Sequence, residues 1–554
     1  MKKLLALLLA LVMVLSFVAC AQNEEPTEPT EPTEPTEPTE PVEEVKTWAE
    51  ENADRIAELK ALYPASTEAA EADFAPDVRA AIDALCATYG KDSANYKEDT
   101  YAVFDFDNTC SIFDVEEQLA VYQLQVMAFE ITPEQLPDVL KTDIGLQDDG
   151  SQDLDSGRAC YSKDEVEHSY AEWINDITAA YTYLYETYGP FTAEGLDEAA
   201  QAEIQADPQW LEFATKMRAM YDVVYDSESA DVAYPWVLYW FTGMTEDQVY
   251  ALATASHTKY KALETTTENW TTPDTIESKV GVVSYDWTSG TQVSDSVISL
   301  WKQLDENGID VWVCSASATD PIRAAIDVWG MHDYCTGMLA MTNVLGEDGK
   351  YVNAYDYENG CGWYCKDNGK WEKMEAPEKA QTQGIGKVEA ITNAIAPEYN
   401  NHGPIAGFMD STGDYNFCTE FETLKLVICF NRASRKVTDG GGVISELAIY
   451  ERDYLGYDFA KADAAGDTLY VLQGREENGL RSLRSHTATM LLGKEEEQLF
   501  KNDDNWAQLL WIIDNNMTVE EVVNTFAMKT SADDSALGFK YGFLKTYDGY
   551  HKHA

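Results

Sequence analysis

The stretch YAVFDFDNT, residues 101–109, decides how the rest of this chain is interpreted. Four apolar residues are followed by two carboxylates, Asp105 and Asp107, two positions apart. A short apolar run that ends in polar residues predicts a buried strand. In open α/β sheets, ligands bind beyond the carboxyl ends of the strands. The stretch therefore predicts an α/β domain with an acidic site directly after its first strand.

Three later apolar runs repeat this arrangement, at residues 309–314, 404–409 and 424–430. Ser315 follows the first of them and Asp410 the second. Helix-like periodicity lies between several of the runs, which is typical of buried parallel strands joined by crossover helices. The predicted fold is a Rossmann-like parallel sheet with polar residues collected at one edge.

The interval between the first and second strands is too long for a simple connection. Much of it has helical periodicity, so we expect a large, mostly helical cap at residues 115–285, inserted after the first motif. The core would then comprise residues 45–114 and 286–440. Residues 441–554 would extend this core or form an accessory region; they contain a strand candidate at 468–473 and a helix candidate at 519–526.

Asp105 and Asp107 are suited to phosphoryl transfer. One carboxylate can attack phosphorus, while the other protonates the departing alkoxide and later accepts a proton from water. Two close carboxylates repel each other, so a divalent cation is needed, and Mg²⁺ suits oxygen ligands beside a phosphate. The D-x-D-x-T pattern alone is also compatible with an acidic surface turn.

Further candidates follow in order along the chain. Ser315 would bind phosphoryl oxygens, before a helix predicted to begin near residues 319–321 with a capping residue. Lys387 would neutralise charge in the transition state. Asp410 would complete the metal site, and Asp414 would hydrogen-bond to metal-bound water or to Lys387. Each also has an ordinary structural reading, as a helix cap, a surface lysine or a polar turn, but their joint order favours a single site.

These residues resemble the four motifs of the haloacid dehalogenase superfamily, over roughly residues 100–435. The resemblance implies an aspartyl-phosphate on Asp105 and Mg²⁺ held by the Asp105 carboxylate, the Asp107 backbone carbonyl and Asp410. It also implies catalytic roles for Asp107, Ser315, Lys387 and Asp414. Met409 is a departure, because Gly often precedes the fourth-motif aspartate. Within the superfamily the chain is most similar to bacterial phosphorylcholine phosphatases, which share export, the Asp-Asn-Thr form of the first motif, Ser-Ala-Ser after the second strand and a large cap.

The predicted cap is rich in aromatic residues. Residues 161–260 contain 19 Tyr, Trp or Phe in 100, against 12% for the whole chain. Aromatic faces bind quaternary ammonium groups, so a choline-binding cage is one interpretation and the hydrophobic core of the cap is the other. The predicted substrate-binding residues are Asn108, Trp173, Trp236, Tyr239 and Trp240.

The N-terminus predicts export. Lys2 and Lys3 precede an apolar run at residues 4–18, and Cys20 follows, so residues 1–19 are typical of a signal peptide. The position of Cys20 resembles a lipoprotein acylation site, although Phe17 departs from the usual Leu. We expect an extracytoplasmic, membrane-anchored lipoprotein, or alternatively a secreted protein. Residues 20–44 form an acidic Glu-Pro-Thr linker, which favours an extended chain.

The net charge of the chain limits the kinds of partner that it can bind. With 98 Asp and Glu against 39 Lys and Arg, the net charge is −59. Such a chain repels nucleic acid and anionic membrane surfaces, so the lipid on Cys20 is the only membrane contact we expect. A small phosphomonoester could approach only where a metal ion and a lysine supply positive charge.

The sequence therefore predicts an exported, Mg²⁺-dependent phosphomonoester hydrolase whose substrate is phosphocholine or a similar small phosphoester. A broad-specificity acid phosphatase would use the same catalytic residues with an unselective cap. A non-catalytic, nutrient-binding lipoprotein is a third interpretation. Asp107 and Lys387 argue against it, because binding alone does not require them.

Overall fold

The computed structural model describes residues 46–64, 71–147, 149–367, 370–374, 381–432, 440–478, 482–494, 497–500 and 502–527. The predicted signal peptide at 1–19 and the linker at 20–44 lie outside these residues. No helix in the described part of the chain is both long enough and apolar enough to cross a membrane.

The secondary structure alternates between strands and helices. The strands are β1 Tyr101–Phe104, β2 Ser111–Ile112, β3 Gly157–Ala159, β4 His168–Ser169, β5 Thr266–Thr271, β6 Ser284–Ser289, β7 Gln292–Val293, β8 Asp310–Ala318, β9 Gly337–Met341, β10 Cys361–Asp367, β11 Lys370–Lys373, β12 Ala406–Met409, β13 Leu426–Phe430, β14 Leu469–Gln473, β15 Arg475–Glu476, β16 Ser482–Leu483, β17 Thr489–Met490 and β18 Glu497–Gln498. The α-helices are α1 Trp48–Glu51, α2 Ala53–Ala61, α3 Pro76–Tyr89, α4 Val115–Val126, α5 Leu136–Leu140, α6 Tyr170–Tyr188, α7 Glu198–Gln205, α8 Pro208–Ser227, α9 Ala230–Leu238, α10 Glu246–Lys261, α11 Asp295–Glu306, α12 Thr319–Val328, α13 Ile385–Ala390, α14 Gly440–Tyr450, α15 Phe459–Ala465, α16 Asp503–Asn515 and α17 Val519–Ala527.

The central sheet has the order β11-β10-β9-β8-β1-β12-β13-β14 in the described residues. Strands β9, β8, β1, β12, β13 and β14 are parallel, whereas β10 and β11 add an antiparallel edge. All four residues of β1 are buried, as expected of a strand covered on both faces. The predicted Rossmann-like α/β core is confirmed, with β1 near the middle of the sheet.

Helices cover both faces of this sheet. Helices α3, α11 and α12 contribute apolar residues to the core on one face. Helices α13, α14, α16 and α17 contribute to the core on the other face. Strand β14 pairs with β13, so part of the chain beyond residue 440 belongs to the sheet. The strand and helix candidates at 468–473 and 519–526 lie at β14 and α17.

Helices α4 to α10 lie between β2 and β7, which pair with each other where the chain leaves and re-enters the core. Side-chain caps start five of these helices, from Asp114, Ser169, Asp197, Asp207 and Thr245. Their buried faces form a separate hydrophobic cluster. This cluster is the helical insertion that the sequence predicts after the first motif, while the exact boundaries at 115 and 285 stay a prediction.

A segment that we assigned to the core, between β9 and β10, packs against these helices instead. The Asn343 side chain donates to the Leu238 carbonyl at 2.7 Å, and the Tyr351 amide donates to the Met244 carbonyl at 2.8 Å. Tyr351 also belongs to the hydrophobic cluster of the insertion. The segment between β9 and β10 therefore attaches the insertion to the core, in addition to the connections at β2 and β7.

The end of β8 differs from the prediction. The strand continues to Ala318, and its register with β9 is irregular between Cys314 and Ala318, so Ser315 lies within this irregular end and not after the strand. Helix α12 begins at Thr319, preceded by Ala318, which provides no side-chain cap. The predicted capping residue, directly before Pro321, is Asp320. This prediction is wrong because the helix already begins at Thr319, so that Asp320 lies within its first turn and forms an ion pair with Arg323.

Candidate functional site

Three buried carboxylates meet at the carboxyl edge of the sheet. Asp105 follows β1, Asp410 follows the neighbouring β12, and Asp414 lies in the turn Thr412–Asp414. One oxygen of each carboxylate lies within 4.8 Å of those of the other two. Parallel pairing explains the arrangement, because β1 and β12 end side by side and the Asp105 amide donates to the Phe408 carbonyl at 3.0 Å.

Lys387 joins two of these carboxylates. Its Nζ lies 2.7 Å from Asp105 Oδ1 and 2.6 Å from Asp414 Oδ1, and its side chain is 1% exposed. Burial lowers the pKa of Lys387, but the Asp105 and Asp414 carboxylates raise it by more, so the net pKa is above the usual value and the group stays cationic. Lys387 lies in the first turn of α13, which begins directly after Gly384. Gly384 has φ 55° and ψ −127°, a conformation that glycine adopts readily.

The carboxylate cluster is suited to a hard divalent cation. Burial is the largest cause that raises the pKa of Asp105, and it raises the pKa of Asp414 to about 8. Low-polarity surroundings disfavour several negative charges in one place, and a cation offsets that cost. The ligand atoms on offer are carboxylate oxygens, which Mg²⁺ prefers. The carboxylate cluster of Asp105, Asp410 and Asp414 therefore fits a metal ion, with Asp105 and Asp410 left to bind it where Asp414 pairs with Lys387.

Asp107 lies beside this cluster with its own partners. One carboxylate oxygen accepts from the Val115 amide at 2.7 Å, and the other accepts from the Ser317 hydroxyl at 2.7 Å. Burial, followed by the Asp114 charge, raises the pKa of Asp107 well above its usual value. That shift favours the protonated form that a general acid requires. The predicted metal contact involves its backbone carbonyl and stays a prediction.

Ser315 is held at the end of β8 by neighbouring polar groups. Its hydroxyl oxygen accepts from the Ser317 amide at 3.1 Å, and its carbonyl accepts from the Thr382 hydroxyl at 2.6 Å. The residue is 1% exposed. Its hydroxyl proton can still be donated to an anion, so the predicted contact with a phosphoryl group stays a prediction.

The four aromatic residues of the predicted cage lie in the hydrophobic core of the insertion. Trp173, Trp236, Tyr239 and Trp240 are all at most 1% exposed and belong to the hydrophobic cluster of the insertion. Trp236 donates to the Leu140 carbonyl at 2.8 Å, and Trp236 and Trp240 pack edge to face. Because these side chains are buried in the cap, no ring face is exposed to a ligand. This agrees with the interpretation of the aromatic residues as the hydrophobic core of the cap, and not with a choline-binding cage.

Tyr234, from the same run, interacts electrostatically with acidic residues at the site. Burial is the largest cause that raises its pKa, and Tyr225 and the charges of Asp114, Glu117 and Asp410 raise it further. Sequence reasoning passed over Tyr234, because in a run of aromatic residues the helical rotation of α9 decides which one faces the core.

Sequence reasoning also missed two arginines. Arg432 Nη1 lies 2.8 Å from Asp410 Oδ2. Arg475 Nη1 donates to the carbonyl of Asn108, a predicted substrate-binding residue, at 2.9 Å. Both arginines follow strand ends at the same edge as Asp105, beyond β13 and β14, so the strand-end rule applied to every strand would have found them.

Comparisons with known proteins place the fold but give no function. No family model and no curated protein matches the chain. A solved structure titled as a conserved functionally unknown protein from Anaerococcus prevotii DSM 20548 is 25% identical, covers 77% of this chain and 100% of its own, and has a TM-score of 0.59. A cytosolic 5'-nucleotidase IIIB bound to cytidine is 13% identical, covers 64% of this chain and 78% of its own, and has a TM-score of 0.23, too low to establish a shared fold. The chain is thus similar over most of its length to a protein whose title assigns no function.

Proposed function

We propose that this protein is a Mg²⁺-dependent phosphomonoester hydrolase of the haloacid dehalogenase type, with Asp105 as its nucleophile. One observation carries the proposal. The buried ammonium group of Lys387 bridges Asp105 and Asp414, which follow two different strand-end motifs. A nutrient-binding protein has no need of a cation buried against a carboxylate in this way, whereas a phosphoryl-transfer site does.

In the first step, a carboxylate oxygen of Asp105 would attack phosphorus and form an aspartyl-phosphate. The bond between phosphorus and the leaving oxygen breaks, and that oxygen takes a proton from the Asp107 carboxyl. The raised pKa of Asp107 supports this role, because it keeps the acid protonated until the step occurs. Lys387 and the Ser315 hydroxyl would stabilise the negative charge on the phosphoryl oxygens.

In the second step, Asp107 would accept a proton from water as the water oxygen attacks phosphorus. The bond between phosphorus and Asp105 then breaks, which releases phosphate and restores both carboxyl groups. Asp105, Asp410 and the Asp107 carbonyl would hold Mg²⁺, which supplies positive charge beside the phosphoryl group. Asp414 would keep Lys387 in place, as its 2.6 Å contact indicates.

We propose phosphocholine as the substrate. The reaction would take place outside the cytoplasmic membrane, and the protein would be anchored there through lipid on Cys20. The support from the site is electrostatic: the charges of Asp114, Glu117 and Asp410 raise the pKa of Tyr234, an aromatic side chain of the insertion. An aromatic side chain in such a negative environment suits a leaving group that carries a quaternary ammonium. A phosphoester without positive charge gains nothing from this environment.

The proposal is tested by phosphate release from phosphocholine, phosphoethanolamine, phosphoserine and p-nitrophenyl phosphate, with Mg²⁺ and with a chelator. We expect Mg²⁺-dependent release that is fastest for phosphocholine. Asp105→Asn should lower the rate by about 10³-fold or more, because it removes the nucleophile. Asp310→Asn is the matched control, because this half-buried carboxyl lies at the opposite end of β8 and contacts Tyr399.

Each outcome separates one part of the proposal from another. Equal rates on all four substrates would retain the hydrolase and reject selectivity for phosphocholine. Full activity of Asp105→Asn would reject the covalent mechanism. No release from any substrate would favour the nutrient-binding interpretation.

A further inference from the structure

We propose that Arg475 is a positioning residue that fixes the catalytic loop, residues 105–109, and that the chain beyond residue 440 is therefore needed for catalysis. This inference rests on the proposed function. Arg475 lies 367 positions after Asn108 in the sequence, so this inference could not be drawn from neighbouring residues.

A buried hydrogen bond joins Arg475 to the loop. Arg475 Nη1 donates to the Asn108 carbonyl at 2.9 Å, and Arg475 is 1% exposed. Asn108 has φ 62°, in the left-handed region that non-glycine residues seldom adopt. The guanidinium therefore holds a peptide in a backbone conformation that benefits from support by its surroundings.

A second left-handed residue lies four positions after this loop, directly beyond β2. Phe113 has φ 71°, and the Arg475 guanidinium carbon lies 5.7 Å from the centre of its ring. Glu477 lies 3.2 Å from Arg475 Nε. One side chain thus contacts the carbonyl of Asn108 and the ring of Phe113, and it forms an ion pair with Glu477.

The small sheet of β15 to β18 fixes Arg475 in turn. The Arg475 amide donates to Thr489 Oγ1 at 3.2 Å, and the Asn431 side chain donates to the Thr487 carbonyl at 3.0 Å. Gly474 allows this approach, since a Cβ there would lie 2.2 Å from the Ala488 carbonyl oxygen. These contacts attach the small sheet to the carboxyl ends of β13 and β14, at the edge where Asp105 lies.

The expected consequence is a change in kcat. The carbonyl that Arg475 holds belongs to the peptide between Asn108 and Thr109. Because Asn108 follows Asp107 directly, a change in the backbone angles of Asn108 would move the general acid relative to Asp105. Misplacement of reacting groups by about 1 Å lowers rates by about 10²-fold. Substrate binding, which also uses groups outside the loop, should change less.

The test compares Arg475→Lys with Arg484→Lys. Arg484 is a matched control because it is also buried in the small sheet, but contacts Glu476 at 3.2 Å instead of the loop. We expect a fall in kcat of about 10–100-fold for Arg475→Lys, with KM within about 3-fold, and near wild-type kcat for Arg484→Lys. Thr489→Val removes the hydroxyl that accepts a hydrogen bond from the Arg475 amide, and it should lower kcat by an intermediate factor. This variant tests the inference if Arg475→Lys does not fold.

Hydrogen exchange of peptides that span residues 101–113 gives a readout without substrate. We expect faster exchange in Arg475→Lys and in Thr489→Val than in Arg484→Lys. Equal exchange in the Arg475, Thr489 and Arg484 variants would overturn the inference, whatever the substrate is. A wild-type protein that releases no phosphate would overturn the proposed function and leave the exchange result to decide the role of Arg475.

Discussion

At the scale of single residues, Glu116 shows how burial links the site to pH. Its Oε2 accepts from the Ala318 amide at 2.9 Å, so α4 holds the irregular end of β8. Burial, followed by the Asp114 charge, raises the pKa of Glu116 to about 8. The folded protein therefore keeps a proton on this carboxyl at pH values where the unfolded chain has lost it.

The sign of the pH effect follows from this shift. A group whose folded pKa is raised contributes stability below its unfolded pKa of about 4.3, and that contribution is lost as pH rises toward the folded value. Glu116→Gln does not ionise, so we expect it to gain about 1–3 kcal/mol relative to wild type between pH 5 and pH 8. Urea unfolding at both pH values measures this gain. Glu306→Gln, at a surface carboxyl, should show none, and an equal gain in both variants would contradict the assignment.

Tyr234 carries a second prediction at this scale. Tyr234→Ala should raise KM for phosphocholine by about 2–30-fold, since a cation over an aromatic face contributes about 0.5–2 kcal/mol. Tyr234→Phe keeps the ring and should retain the wild-type KM. The measurement is KM for phosphocholine and for p-nitrophenyl phosphate, and a parallel change on both substrates would mean that the ring does not select the ammonium group.

At the scale of elements, most of the core could be predicted because its strands are continuous apolar runs. The structure places β1, β12 and β13 within two residues of the predicted runs. The small sheet of β15 to β18 was not predicted, because strands of two residues are too short to show periodicity. Arg475 was missed for this reason, whereas Lys387 was predicted because it stands in order among the other candidate residues along the chain.

That helix start gives the prediction at this scale. Gly384 has φ 55° and ψ −127°, and its amide donates to the Gly413 carbonyl at 2.8 Å. Gly384→Ala should cost about 1–3 kcal/mol and lower kcat by moving Lys387. Gly456→Ala is the control, since Gly456 has φ 65° with open space around it, far from these motifs in sequence. Urea unfolding and kcat should separate the two, and wild-type kcat for Gly384→Ala would contradict the role of this turn.

At the scale of the whole molecule, the aromatic composition was an unreliable guide to the site. An insertion that forms its own hydrophobic cluster needs large buried side chains, so Trp173 and Trp240 serve packing. Composition reports how much apolar area a segment buries, but not which ring faces a ligand. The ordered polar residues at strand ends were more informative, because sheet topology brings them together.

The net charge of −59 gives a final prediction about substrate approach. A negative field repels p-nitrophenyl phosphate, with two negative charges, more than phosphocholine, whose ammonium group cancels one. Raising the salt concentration from 0.01 M to 0.15 M shortens the screening length from about 30 Å to about 8 Å. We expect kcat/KM for p-nitrophenyl phosphate to rise by a larger factor than for phosphocholine, at constant Mg²⁺. A fall for both substrates would mean that Lys387, Arg432 and the metal dominate the field that the substrate meets, in spite of the charge of the molecule.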